Sequence, residues 1–215
     1  MDTQTGWWTP HDVPCEIIVD KNLNKLCTGL DQMIRPYVPE HINRDSVGAI
    51  LSYGLSSFGY VFRLGEKFLD PICGDIGRNP KALNIKRLDA MDYFNRIEIP
   101  AGSEIALKAG GSIFGQTVEY VSIPNDVVVD LTAKPAIIRS GLLVTAPRLE
   151  GGYEGHISLA LYNTNPFAVV LYPGEGIVQG CFTKIGVIPT HTYKHYRHAV
   201  AHTSDEFPPI PTCAD

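Results

Sequence analysis

From Ser46 onward the chain is cut by Gly, Pro and Asn into short extended segments, and no other feature limits its fold as strongly. Arg96 to Ile99, Ser103 to Ala109, Gln116 to Ile123, Val127 to Leu131, Gly155 to Tyr162, Ala168 to Tyr172 and Ile177 to Ile185 each have the length and composition of a strand. Pro100-Ala101-Gly102, Pro124-Asn125-Asp126 and Pro173-Gly174-Glu175-Gly176 supply the turns between them, because Pro presets φ and Gly accepts positive φ. Many short strands separated by turn chemistry are the pattern of sandwiches and barrels, so an all-β fold with only short helices is predicted.

Two stretches interrupt the pattern. Lys21 to Met33 places Leu23, Leu26, Leu30 and Met33 at helical spacing, which predicts a short amphipathic helix on the edge of the core. Pro36 and Pro39 then end it and begin extended chain. Residues 70 to 95 are charged and weakly patterned, and read as a long excursion with one short helix around Leu83 to Met91. After residue 188 the chain changes character: His191, His195, His198 and His202 are followed by Pro208, Pro209 and Pro211, the composition of an extended, exposed tail. The organisation is therefore an N-terminal extension with its helix (1–32), one β domain (33–188) and a tail (189–215).

With 215 residues, 44% of them hydrophobic, the chain can bury one sizeable core. No apolar run approaches the roughly 20 residues that cross a bilayer, and no signal layout opens the chain, so a soluble, cytoplasmic protein is expected, with no membrane partner. A net charge of -5 argues against a sequence-independent grip on duplex nucleic acid, while a phosphate-bearing small ligand needs only a local cluster of Arg and Lys. Cys15, Cys27, Cys73, Cys181 and Cys213 form no close pair, which fits reduced thiols and no zinc site. The tail histidines would share a face if helical, but no acid completes a metal set, so a solvated face is the expectation there.

Three stretches, in order, resemble the dCTP deaminases of the dCTP deaminase and dUTPase superfamily. Met33-Ile34-Arg35-Pro36-Tyr37 followed by Ser52 to Tyr60 (SYGLSSFGY) is similar to that family's proline-aromatic pair and SYGLSSYGYD. Lys134 to Val144 (KPAIIRSGLLV) resembles KSxxARxGLxV. Glu150 to Asn163 (EGGYEGHISLALYN), continuing into Tyr172-Pro173-Gly174 and Ile177-Val178-Gln179, is similar to (D/E)PGWEGxIxLEFxN and YPGxxIxQ. The resemblance implies a distorted β-barrel of two packed sheets, assembled as a homotrimer with sites between subunits. It also implies a pyrimidine deoxynucleoside triphosphate (dCTP or dUTP) as ligand, bound with Mg2+ and without zinc.

The resemblance further assigns roles. Arg139 and Glu150 take the catalytic positions, Arg139 as a permanently charged planar donor and Glu150 as the remaining carboxylate. Lys134, Ser140 and Gln179 take substrate-binding positions, and Tyr196 and Arg197 are the nearest match to the tail motif that orders over triphosphate. The bland explanations are an interface ion pair for Arg139, a surface lysine for Lys134, an acidic turn residue for Glu150 and a strand glutamine bonded to backbone for Gln179.

Departures from the family pattern bear on chemistry. Deamination without zinc needs a carboxylate to take a proton from water, and that family position is Ala160 here. The two hydroxyl residues after the motif lysine are Pro135 and Ala136, and the Asp after GY is Val61. Three readings follow: a nucleotide binder in which deamination is lost or slow, a non-catalytic trimeric module in a larger assembly, and a dUTPase-type pyrophosphatase using Glu150. The RSGL quartet at Arg139 to Leu142 favours the last, whereas the short spacing to Glu150 and the missing glycine-rich arm weigh against it. Adjacent Trp7 and Trp8 are the expected anchor for such an assembly.

Overall fold

The structure is a computed structural model, and it describes residues 15–29, 31–45, 48–72 and 93–193. The chain opens with β1 (Glu16–Ile17), α1 (Asp20–Thr28), β2 (Ile34–Arg35) and β3 (His41–Arg44). A hairpin of β4 (Ala49–Ser56) and the long β5 (Gly59–Pro71) follows, then β6 (Phe94–Glu98), β7 (Ile105–Leu107), β8 (Ser112–Ser122) and β9 (Val127–Ala133). A single-turn helix, α2 (Pro135–Arg139), leads to β10 (Leu142–Thr145), β11 (Glu154–Asn163), β12 (Val169–Leu171) and β13 (Gly176–Lys184). Each of the seven strands read between Arg96 and Ile185 is present, shifted at its ends by a few residues.

The strands form one curled sheet of 11 strands, with the path β1-β13-β5-β8-β11-β10, and a small sheet of β12 and β7. β5 is the seam. Its first half pairs with β13 and its second half with β8, both antiparallel, so a single strand of 13 residues belongs to both halves of the curl. The core inside is apolar and aromatic: Tyr60, Phe62, Leu64, Phe68, Leu149, Ile157, Leu159, Leu161 and Phe182 are each 0–1% exposed. Alternation explains β11, where Ile157, Leu159 and Leu161 face inward while Ser158, Ala160 and Tyr162 face out.

Two charged side chains are built into this interior. Glu119 on β8 is completely buried; Arg63 of β5 donates to it through Nε (2.7 Å) and its backbone N–H (2.9 Å). The Tyr60 hydroxyl lies 3.5 Å from the same carboxylate, and the Arg63 guanidinium rests on the Tyr53 ring with 4.9 Å to its centre. Burial pushes the Glu119 carboxyl above its ordinary value, and the Arg63 guanidinium opposes that push.

The helix read over Lys21 to Met33 is shorter than its spacing suggested. α1 stops at Thr28, buries Leu23 and Cys27, and leaves Leu26 37% exposed. Met33 is buried from extended chain, where its carbonyl accepts from Ser122 N–H (2.8 Å). Nine residues complete the helix once Gly29 follows in extended geometry, so the apolar period ran past the helix into a strand. β1 pairs with β13, which ties the N-terminal segment to the sheet from residue 16. The expected helix at Leu83 to Met91, Leu30, Trp7 and Trp8, and Lys194 to His202 with Tyr196 and Arg197, lie outside the described residues. Among the described residues no helix is long and apolar enough to cross a membrane.

Candidate functional site

The segment that carries most of the expected site runs up β9, turns through α2 and returns along β10. Lys134 caps α2 in extended geometry, and Pro135 fills the first helical position, where a missing N–H costs nothing. Pro135 therefore builds the turn. The Lys134 ammonium points inward: it donates to the Ser52 carbonyl and to Ser52 Oγ (2.9 Å), and the residue is only 8% exposed. Burial lowers its pKa, partly offset by the nearby Glu175 carboxylate, which itself accepts from Leu51 N–H (3.0 Å). Lys134 thus braces α2 against β4.

Gln179 lies at the same end. It pairs with Thr132 of β9 and Val61 of β5, and its amide nitrogen is 3.4 Å from Ser56 Oγ. Its neighbour is a side chain, where a backbone partner was the ordinary expectation. Val61 is 3% exposed, packed in the interior. Arg139 ends α2, Ser140 caps it, and both are exposed. The Ser140 hydroxyl donates to the Ile137 carbonyl (2.7 Å), so its own helix turn uses it; Arg139 presents its guanidinium outward.

Glu150 is elsewhere. Leu149 bridges to Val129 near the start of β9, whereas Lys134 follows that strand's end, a separation of roughly 16 Å at about 3.3 Å per strand residue. Within one chain, then, Lys134, Gln179, Arg139 and Ser140 gather at one end of β9 and Glu150 stands at the other. Glu150 is exposed, beside an Arg148–Asp130 pair bonded through two contacts of 2.7 and 3.0 Å. The Arg148 hydrogen bonds hold the Asp130 carboxyl below its ordinary value. Gly151 packs against the chain's own turn, where an added Cβ would sit 2.4 Å from the Asn125 carbonyl oxygen.

Ala160 is at the centre of the outward face. Its cross-strand partners are Phe114 on β8 and Thr145 on β10, and Ser158 and Tyr162 flank it along β11. The diagonal neighbours Gln116, Ser112 and Leu143 complete the surround. None of these side chains is a carboxylate. Phe114, Leu143 and Tyr162 are 36%, 57% and 46% exposed, so an apolar patch borders the alanine.

The interior pair Arg63–Glu119 and the rim pair Arg148–Asp130 were not singled out from sequence. A charge in the middle of an apolar strand, as in Tyr60-Val61-Phe62-Arg63-Leu64, was the available signal for the first. Among the described residues no group of three or more His, Cys, Asp or Glu could hold a metal ion.

Comparison with known proteins agrees with this architecture. A family model described as dCTP deaminase-like matches residues 17–185. The chain is 32% identical over 162 residues to the dCTP deaminase of Aromatoleum aromaticum, covering 75% of this chain and 82% of that protein. It is 34% identical over 155 residues to the dCTP deaminase of Campylobacter fetus, covering 71% and 75%. Among solved structures, the 2'-deoxycytidine 5'-triphosphate deaminase of Agrobacterium tumefaciens superposes with a TM-score of 0.58 at 14% identity, over 79% of this chain and 48% of that one, a likeness of fold. The chain thus spans about half the length of that solved enzyme while covering most of the curated relatives. With the match running from β1 to the end of β13, the chain belongs to the dCTP deaminase-like family.

Proposed function

We propose that this protein binds a pyrimidine deoxynucleoside triphosphate at sites completed between the subunits of a homotrimer, and that it deaminates dCTP slowly or not at all. The observation that carries the reading is Ala160, whose neighbours on its own and both adjacent strands offer no proton acceptor of carboxylate type. Losing a general base of this kind removes about a hundred- to ten-thousand-fold of rate. Arg139 is the exposed cation for the phosphate side, with Ser140 beside it and Gln179 and Lys134 shaping the wall behind. A subunit boundary suits this division, because Arg139 and Glu150 stand at opposite ends of β9 within one chain. Mg2+ would be held by the triphosphate oxygens, as suits an ion that keeps most of its waters and lacks a dedicated cage here. This role belongs to the soluble interior of the cell, where nucleotides are handled.

The non-catalytic reading has one observation in its favour: the Lys134 ammonium is already bonded to Ser52. A pyrophosphatase using Glu150 would need the phosphate cations brought to it from another subunit. Purified protein incubated with dCTP or dUTP and Mg2+, with products resolved chromatographically, should show little dUTP formed from dCTP. Calorimetric titration with dCTP, dUTP and dTTP should show binding. Ala160→Glu is expected to raise dUTP production at least about a hundredfold. Brisk deamination by the unaltered chain would overturn the reading, and absence of heat with all three nucleotides would favour the structural module.

A further inference from the structure

A cavity of about 360 Å³ opens where β5 and β8 meet the turns at Ala101 and Gly174. Both ladders of the central strand β8 slip at this level. The β5 pairing jumps between Leu64 and Phe68, and the β11 pairing jumps between His156 and Ser158. Bulges of this kind re-aim side chains and gather beside binding sites. Gly65 allows the approach, since a Cβ there would lie 2.6 Å from the Gln116 carbonyl oxygen.

Gln116 lines the cavity at 6% exposure, and its amide oxygen has no hydrogen-bond partner among the described residues. Leaving such a group unpaired carries its full desolvation penalty, and no bond within the fold repays it. His156 lies across from it. Its Nδ1 is 3.0 Å from the Thr117 carbonyl and must carry the proton to donate, which leaves Nε2 an acceptor in the neutral ring. Both cations at the cavity face a carboxylate: Arg63 is bonded to Glu119, and Lys67 stands opposite Glu98 in the β5–β6 ladder, while Glu66 adds a further carboxylate that accepts from Ala101 N–H. A balance tipped toward negative charge gives an anion little reason to bind. The flat groups are suited to a ring, with the Arg63 guanidinium held on Tyr53 and the His156 imidazole held edge-to-face by Tyr120 at 5.6 Å.

From the unpaired amide oxygen, the surplus of carboxylates over cations and these planar walls we infer that the cavity takes a small neutral planar ligand with adjacent donor and acceptor atoms, namely a free nucleobase or nucleoside. A glutamine amide presents N–H and C=O side by side, which is the complement of a base edge. The volume is at the lower end for ligand pockets and suits one ring with a sugar better than a triphosphate. Gln116 also borders Ala160, but neither Ala160 nor Arg139 lines the cavity, so the inference does not rest on the triphosphate reading.

The test is saturation-transfer NMR and calorimetry on the full chain with cytosine, uracil, adenine and thymidine, with inorganic phosphate as the contrast. At least one base or nucleoside should bind saturably, once per chain, and phosphate should not compete. Gln116→Leu should weaken that binding at least about tenfold. His156→Phe provides a second variant with the same expectation should the first fail to fold, as judged by circular dichroism. Excess dCTP should leave it unchanged. No binding up to the solubility limit, equal binding in a folded variant, or displacement by dCTP would each overturn the inference.

Discussion

Two pairs of Arg and carboxylate in this molecule have the same shortest contact, 2.7 Å, and opposite surroundings. Glu119 of the Arg63 pair is completely buried, whereas the side chains of Arg148 and Asp130 are 63% and 51% exposed. Contact geometry alone would rate them equal. Solvent separates them: water screens and competes for the rim pair, while the interior pair is fastened as well by a backbone N–H and a tyrosine hydroxyl. The interior pair belongs to the scaffold that fixes β5 against β8. The rim pair belongs to the surface beside Glu150.

The largest expected effect breaks the interior pair. Glu119→Ala leaves the half-buried Arg63 charge without its partner, and about 3–5 kcal/mol of stability should disappear in a urea titration. A loss under about 1 kcal/mol would mean that Arg63 swings into solvent at little cost, and the contrast between the two pairs would fail. Next comes Lys134→Ala, which removes the brace to Ser52 and leaves that carbonyl unpaired. About 1–3 kcal/mol should be lost, with Lys134→Arg no rescue because the fork does not fit a site shaped for a point charge. If stability is unaffected and only triphosphate binding falls, Lys134 is a phosphate ligand.

The inward face was legible in the sequence because burial and strand period act together. Ile157, Leu159 and Leu161 could be assigned to the core from alternation, and the turns at Pro100, Pro124 and Pro173 from their residue types. Motif likeness singled out the segments of the candidate site but not their distribution in space. The separation of Lys134 from Glu150 depends on β9 and β10 running in opposite directions around a five-residue helix, which no local pattern announced. Lys134 was expected to contact phosphate, yet its ammonium turns inward, because Ser52 lies within reach across the sheet, 82 residues away in sequence. Long-range partners of this kind leave no periodic trace. The same holds for Gln116, whose unpaired amide oxygen becomes visible only when two register slips coincide.

A smaller effect sharpens the comparison through pH. Burial pushes the Cys27 thiol from 9.0 up to about 12, and the backbone hydrogen bond with Ile34 offsets this only in part. Its folded pKa is raised, so the associated stability is fully present below pH 9 and is lost as pH rises through about 12. Urea titrations between pH 8 and about 11 should therefore show stability falling with pH, with Cys27 contributing up to about 1.4 kcal/mol per pH unit. Cys27→Ala should make that slope shallower, most clearly between pH 9 and 10, below the range in which the raised Tyr37 and Tyr60 hydroxyls add to it, whatever it does to the absolute stability. An unchanged slope would show that the thiol ionises alike in folded and unfolded chains.

The smallest effect is the most discriminating for the rim. Asp130→Ala should leave the urea midpoint where it was, since both partners of that pair are mostly in water and each is fully solvated without the other. The exposure that justifies this expectation belongs to the isolated chain. If Asp130 and Arg148 were covered by a neighbouring subunit, deleting the acid would strand a buried guanidinium, and the midpoint would drop and become dependent on protein concentration. Measuring Asp130→Ala at two concentrations a hundredfold apart thus reads the surroundings of Glu150 in solution. An unmoved midpoint at both keeps the rim pair a surface feature. A concentration-dependent loss approaching that of Glu119→Ala would instead put Glu150 inside a subunit boundary, next to whichever end of the partner's β9 lies across from it.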